Sequence, residues 1–261
     1  MIIRHELRQG KLSLAVWTVA ISFLLVVCIF LFPEMKKEMD SINEVFSSMG
    51  GFSQAFGMDQ ISFGTLTGFY AVECGNILGL GGAFFAALCA VTVLAKEEKD
   101  HTAEFLLSHP VTRSSIVTGK FIAVLIQIAL LNSTIFVLAA SSVALTGETV
   151  PWKELTLLHL AYFLVQLEIA GICFGISAFI RRGGMGMGLG VAVIMYFLHL
   201  VANITESAQA LDIITPFGYA DGPSIVSEAG LDGAKILFGM ALGALGAAAG
   251  YFKYCRKDIG V

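Results

Sequence analysis

Residues 12–32 read LSLAVWTVAISFLLVVCIFLF, and this stretch decides the fold class because it contains no charged residue. A helix rises about 1.5 Å per residue, so about 20 apolar residues cross the hydrocarbon core of a bilayer. The rest of the chain has the same character. Of its 261 residues 56% are hydrophobic and only 14% are charged, whereas about a quarter are charged in typical soluble domains. We therefore predict a membrane protein.

Five further apolar stretches qualify as spans, or nearly so. They cover residues 69–95, 121–145, 155–180, 184–204 and 236–251, and the last is the shortest. The first stretch should end at Pro33, and it is too long for a signal peptide and lacks a cleavage site. The sequence thus predicts an all-α membrane protein with six transmembrane helices in a single transmembrane domain over residues 1–261.

The distribution of charge predicts the orientation, because Lys and Arg resist transfer across the membrane. If the N-terminus is cytoplasmic, twelve of the sixteen basic residues lie inside and twelve of the twenty acidic residues lie outside. We expect a multi-pass plasma-membrane protein with both termini in the cytoplasm. A net charge of −4 argues against a nucleic-acid partner, which requires a basic surface.

Four segments should lie outside the bilayer. Residues 1–11 form a cytoplasmic amphipathic segment and residues 33–68 form an outer amphipathic segment that should contain a surface helix. Residues 96–120 form a cytoplasmic loop, and residues 205–235 form a second outer segment.

The 96–120 loop reads KEEKDHTAEFLLSHPVTRSSIVTGK. It predicts a short helix over residues 102–108, which ends before Pro110 because the residue preceding a proline disfavours helical geometry. Thr112 is then suited to cap a second helix that continues through Lys120 into the third span. A short, partly apolar helix between two spans can dock on a cytosolic partner or lie on the membrane surface.

Several features of this loop resemble the cytoplasmic loop of ABC-2 type transporter permeases. They are the acidic pair at 97–98, the T-x-E-x-L-L core from Thr102, the P-V-x-R turn from Pro110 and the I-x-x-x-K end at Lys120. His101 departs from the pattern, which usually has glycine there. The resemblance extends to the six-span layout, the N-terminal segment 2–10 and the sequence IITPFGY at 213–219.

The resemblance implies an ABC-2 type permease fold with a cytoplasmic coupling helix between spans 2 and 3. In that family an ATP-binding cassette subunit contacts this helix, and a second permease subunit, identical or related, completes the pathway. Carried onto this chain, the coupling interface would contain Glu104, Phe105, Leu106, Leu107 and Arg113.

No ATP-binding motif of the form G-x-x-x-x-G-K-[ST] occurs in the sequence. The chain is therefore not expected to be an enzyme or to hold a cofactor, and ATP and Mg²⁺ are expected in the partner ATPase. The five histidines show no paired spacing that would suit a metal site.

Two acidic residues fall inside predicted spans. Glu168 lies near the middle of the fourth and Glu73 in the outer part of the second. A charge at the centre of a spanning helix costs roughly 2.5 kcal/mol or more, so both are candidates for the substrate pathway. The alternative is a protonated or hydrogen-bonded helix contact, with these polar residues as possible partners: Gln127, Asn132, Gln166 and His199.

Glycine pairs four residues apart predict close helix packing, because lipid gives no hydrophobic drive between helices. The pairs are Gly75 and Gly79, Gly171 and Gly175, Gly184 and Gly188, Gly239 and Gly243, and Gly246 and Gly250.

The leading hypothesis is the membrane subunit of an ATP-driven ABC-2 type exporter, surrounded by lipid and energised through the 96–120 loop. One alternative is a secondary transporter or channel that uses Glu168 as an ion or proton relay. Another is a membrane scaffold or immunity protein that binds a partner without transport. The sequence does not identify the substrate.

Overall fold

The computed structural model describes residues 2–38, 45, 49–58, 60–99, 111–180 and 184–256. Within these residues all regular structure is helical, and six helices are long and apolar enough to cross a membrane. The predicted all-α fold with six spans is confirmed.

The helices, in chain order, are as follows. They are α1 (Ile2–Lys37), α2 (Gly51–Ala55), α3 (Leu66–Cys74), α4 (Gly81–Thr92), α5 (Lys96–Lys99), α6 (Arg113–Leu145), α7 (Trp152–Ser177), α8 (Met185–Ile204), α9 (Gly222–Glu228) and α10 (Gly233–Arg256). A π-helical turn (Gly75–Leu80) joins α3 to α4, and these three pieces form the second span. The other spans are α1, α6, α7, α8 and α10.

The first span is longer than the sequence predicted. Helix α1 begins at Ile2, so the N-terminal amphipathic segment is continuous with the span, and it ends at Lys37 and not at Pro33. A proline removes one backbone hydrogen bond and crowds the preceding turn. Here Ile29 and Phe32, in that turn, are buried, and this packing holds the helix together across the proline.

The third span confirms the predicted helix start. The side chain of Thr112 accepts a hydrogen bond from the backbone N–H of Ser115 at 3.3 Å, and α6 then runs without interruption from Arg113 to Leu145. This cap satisfies an N–H group that the first turn of a helix leaves free. The end of the 96–120 loop is thus a rigid extension of the third span.

The π-helical turn in the second span was not predicted. The aromatic ring of Tyr162, from α7, lies against its two glycines. A Cβ atom on Gly75 would be 2.8 Å from the Tyr162 hydroxyl, and one on Gly79 would be 3.1 Å from the ring. The two glycines leave the space that this buried tyrosine occupies.

Glycine also determines how α7 and α10 pack. Gly171 and Gly175 of α7 meet Gly243 and Gly246 of α10, and we call this contact the glycine seam. A Cβ atom on Gly171 would lie 2.7 Å from the carbonyl carbon of Gly243 and closer still to its oxygen. The predicted glycine pairs therefore allow the two backbones to touch within one chain.

The outer segments are only partly described. The surface helix predicted within residues 33–68 falls largely outside the described residues, and the short helix α2 begins directly after Gly50, which has a positive φ of 49°. The second outer segment contains two 3₁₀ turns (Glu206–Ile213 and Pro216–Tyr219), followed by α9.

Candidate functional site

Only one residue of the predicted coupling interface is among the described residues. Its residues Glu104, Phe105, Leu106 and Leu107 lie outside the described part of the chain. Arg113 is described and is the first residue of α6, directly after the Thr112 cap. The structure therefore shows the two ends of the 96–120 loop, where it joins the second and third spans.

A buried ionic cluster connects these two ends to α1. The ammonium of Lys120 donates hydrogen bonds to Glu6 Oε1 at 3.2 Å and to the carbonyl oxygen of Val93 at 2.7 Å. Lys96 lies 3.6 Å from the other oxygen of Glu6 and also donates to the side chain of Gln9. We call Glu6, Lys96, Lys120 and the Val93 carbonyl the root cluster.

The two lysines of the root cluster differ in burial. The side chain of Lys120 is 1% exposed and that of Glu6 is 8% exposed, whereas Lys96 is 33% exposed. An isolated buried charge is costly, so Lys120 requires the carboxylate and the carbonyl that surround it. No local sequence pattern indicates this contact, because 114 residues separate Glu6 from Lys120.

A crevice of about 270 Å³ lies beside the root cluster. Glu6, Gln9 and Lys96 contribute to its wall together with Gln127 from α6. The Gln127 amide donates to the backbone of Ala123, and its oxygen lies over Gly10 of α1. Lys96, on the more exposed side of the cluster, lines this crevice.

Glu168 lies beside the glycine seam. Its side chain is 1% exposed and accepts a hydrogen bond from the hydroxyl of Tyr219 at 3.0 Å. A Cβ atom on Gly239 would lie 2.9 Å from the Glu168 carboxyl carbon. Burial and the neighbouring carboxylate raise the pKa of Tyr219 far above its ordinary value, so its hydroxyl stays a donor. Glu168 thus links the fourth span to the second outer segment.

Glu73 is half-buried and accepts a weak hydrogen bond from the Cys28 thiol at 3.9 Å. The structure does not bring Glu73 and Glu168 together through any described contact. Two of the polar side chains considered as their partners bond each other instead, because Asn132 donates to Gln166 at 2.7 Å and accepts from it at 3.3 Å.

His199, the last of those side chains, belongs to a polar group that sequence reasoning did not find. The outer cluster consists of His199 and Asn203 of α8, Asp212, Asp221 and Lys235. One ring nitrogen of His199 is 2.9 Å from Asp212 and the other is 3.4 Å from Asp221, while Lys235 lies 3.4 Å from Asp212. These contacts join the fifth span to the outer segment and to the start of α10.

Asp221 also caps α9 by accepting hydrogen bonds from the backbone N–H and hydroxyl of Ser224. Burial alone would raise the pKa of this carboxyl. Its bonds with His199 and Ser224 outweigh burial, so the pKa of Asp221 is lowered. The carboxylate form is therefore favoured in the folded protein.

The fold defines a multi-pass helical membrane protein, and the described residues contain no group of three or more side chains that could hold a metal ion. Residues 1–253 match the family described as ABC-2 family transporter protein, and the chain belongs to this family. It is therefore an ABC transporter permease, a membrane subunit whose family implies partnership with an ATP-binding cassette subunit. A search of curated proteins gives no match.

Proposed function

We propose that this permease is the membrane subunit of an ATP-driven exporter in the plasma membrane. A separate ATPase subunit docks on the 96–120 loop, binds ATP and Mg²⁺, and drives transport through that loop. Both chain termini lie on the same cytoplasmic side as the ATPase. A second permease subunit, identical or related, completes the pathway.

The root cluster is the observation that best supports this proposal. A loop that receives force from a partner must be attached firmly to the helices it moves. Lys120 attaches the end of the 96–120 loop to α1 and to the end of the second span. The predicted docking residues 104–107 and Arg113 lie between the two anchored ends of this loop.

The positions of the intramembrane acids support a structural role for Glu168. A carboxyl that is 1% exposed and bonded to Tyr219 beside the glycine seam is enclosed by its own helices. No described contact places it in a chain of titratable groups such as an ion relay uses. Glu73, which is less buried, is the better candidate for the substrate pathway.

The experiment is co-purification of the permease with its ATPase. Phe105→Asp or Leu106→Asp should abolish assembly or ATP turnover by the complex, because a charge would enter the apolar side of the docking helix. Phe252→Asp is a matched control, since Phe252 is exposed in the last turn of α10 beside the basic Lys253. Normal assembly and turnover in the Phe105 and Leu106 variants would refute the proposed docking surface.

A further inference from the structure

The root cluster holds the two ends of the 96–120 loop with unequal strength. At one end, Lys120 is almost completely buried between Glu6 and the Val93 carbonyl. At the other end, Lys96 is one third exposed and reaches the same carboxylate at 3.6 Å, beside the crevice. Exposed ion pairs contribute little because water solvates both charges, whereas a buried pair resists separation.

The backbone next to Lys96 is fixed independently of that ion pair. The Val93 carbonyl binds Lys120, and the Leu94 N–H donates to the Ser177 hydroxyl of α7 at 2.9 Å. The second span therefore remains anchored in the bundle even when Lys96 leaves Glu6. The short helix α5 begins at Lys96, beyond these two bonds.

The end of the loop at Lys120 is part of a long helix. Helix α6 begins at Arg113 and continues through Lys120 into the bilayer. Seven residues of helix precede Lys120, which amounts to a rigid extension of about 10 Å. Displacement of this extension moves the whole third span, and the ion pair with Glu6 moves α1 with it. The first turn of α1 adds contact, since Ile2 packs directly against Gly119.

Resting on the proposed function, we propose that Lys120 and Glu6 make α1 and α6 one rigid unit through which movement of the 96–120 loop enters the bundle. The partly exposed contact between Lys96 and Glu6 is not part of this unit. Glu6 and Lys120 are thus positioning residues for ATP-driven transport. They act on the loop ends and touch neither nucleotide nor substrate.

The test measures ATP turnover by the permease–ATPase complex in nanodiscs of phosphatidylethanolamine and phosphatidylglycerol, relative to the free ATPase. The double variant Glu6→Gln with Lys120→Met removes the ion pair without leaving a buried charge unpaired. It should assemble normally and lose about fivefold or more of the permease-dependent turnover, the lower end of ordinary coupling between sites. Lys120→Arg should retain most of this turnover, because it keeps the charge.

Two controls separate the buried pair of Glu6 and Lys120 from ion pairs that are more exposed. Lys96→Met should change turnover by less than about twofold, since its pair is partly exposed. Lys36→Met with Glu148→Gln removes an exposed ion pair of 3.0 Å at the opposite end of α1 and should have no effect. Wild-type turnover in the Glu6 and Lys120 double variant, with the ATPase bound, would overturn the rigid unit.

A cross-link gives a second measurement should the double variant not fold. A Cβ atom on Gly119 would lie 3.2 Å from that of Ile2, close to the separation of about 3.5–4.5 Å in disulfides. In a background without the five native cysteines, Ile2→Cys with Gly119→Cys should form a disulfide and retain turnover. Loss of turnover on oxidation, restored by reduction, would show that α1 and α6 must separate and would overturn the inference. A wild-type chain that binds no ATPase would instead refute the proposed function.

Discussion

Replacement of Gly171 by alanine tests whether the glycine seam is the contact that holds the sixth span in place. The added Cβ would lie 2.7 Å from the carbonyl carbon of Gly243 and overlap its oxygen. Both are backbone atoms of α10, so no side chain can rotate away to relieve the overlap. The two helices must move apart along their length.

The expected magnitude follows from two opposing effects. Alanine is favoured over glycine inside a helix by about 0.5–1 kcal/mol. Overpacking a tight contact costs about 1–3 kcal/mol, and the upper half of that range applies because backbone atoms are involved. The net destabilisation should be about 1–2.5 kcal/mol. At about 2–4 °C per kcal/mol for a chain of this size, the melting temperature should fall by roughly 2–10 °C.

Thermal unfolding of the purified protein in detergent measures this change, with Gly190→Ala as the matched control. Gly190 lies inside α8, and no heavy atom of the described residues outside its own stretch of helix comes within 4 Å of a Cβ built there. The control should keep the stability of the wild type or exceed it. Equal effects of the two substitutions would refute the seam, because they would show that only helix propensity had changed.

Three other changes test the outer segments and the loop end. Tyr219→Phe should lower stability by about 1–3 kcal/mol, since it leaves the buried Glu168 carboxyl without its hydrogen-bond donor. Glu168→Gln keeps an acceptor for the Tyr219 hydroxyl and should lower the melting temperature less. A larger loss for Glu168→Gln than for Tyr219→Phe would contradict this hydrogen bond. Asp221→Asn should lower the melting temperature at pH 7. The difference from the wild type should disappear as the pH falls through the lowered pKa of Asp221, because a carboxyl with a depressed pKa stabilises the fold only while it is ionised. A difference in melting temperature that is independent of pH would refute the charge effect. Thr112→Ala should weaken the start of α6 by about 1 kcal/mol and reduce amide exchange protection there, while Thr112→Ser should not.

The number and places of the spans could be predicted from the sequence, because each is a predominantly apolar run, with at most one charged residue, that is long enough or nearly long enough for the bilayer. The Thr112 cap was equally readable, since capping depends on residues only three positions apart. Such local or compositional signals need no knowledge of the rest of the fold.

Contacts between distant parts of the chain could not be predicted in this way. The burial of Lys120 depends on Glu6 and on the end of the second span, and the sequence placed all three only on the same side of the membrane. The ring of Tyr162, which lies against both glycines of the π-helical turn at Gly75–Leu80, comes from another span. The helix continues past Pro33 because buried neighbours stabilise it, and local propensity does not report that packing.

The glycine seam also has a consequence for the order of assembly in the membrane. Helices that insert separately associate afterwards through shape and close contact. Until α10 inserts, the glycine face of α7 borders lipid, and Glu168 lacks the cover of Gly239 beside it. Insertion of the sixth span therefore encloses the Glu168 carboxyl, the group of the fourth span that is most costly to expose to lipid. During biogenesis this carboxyl is shielded from lipid only after α10 has inserted.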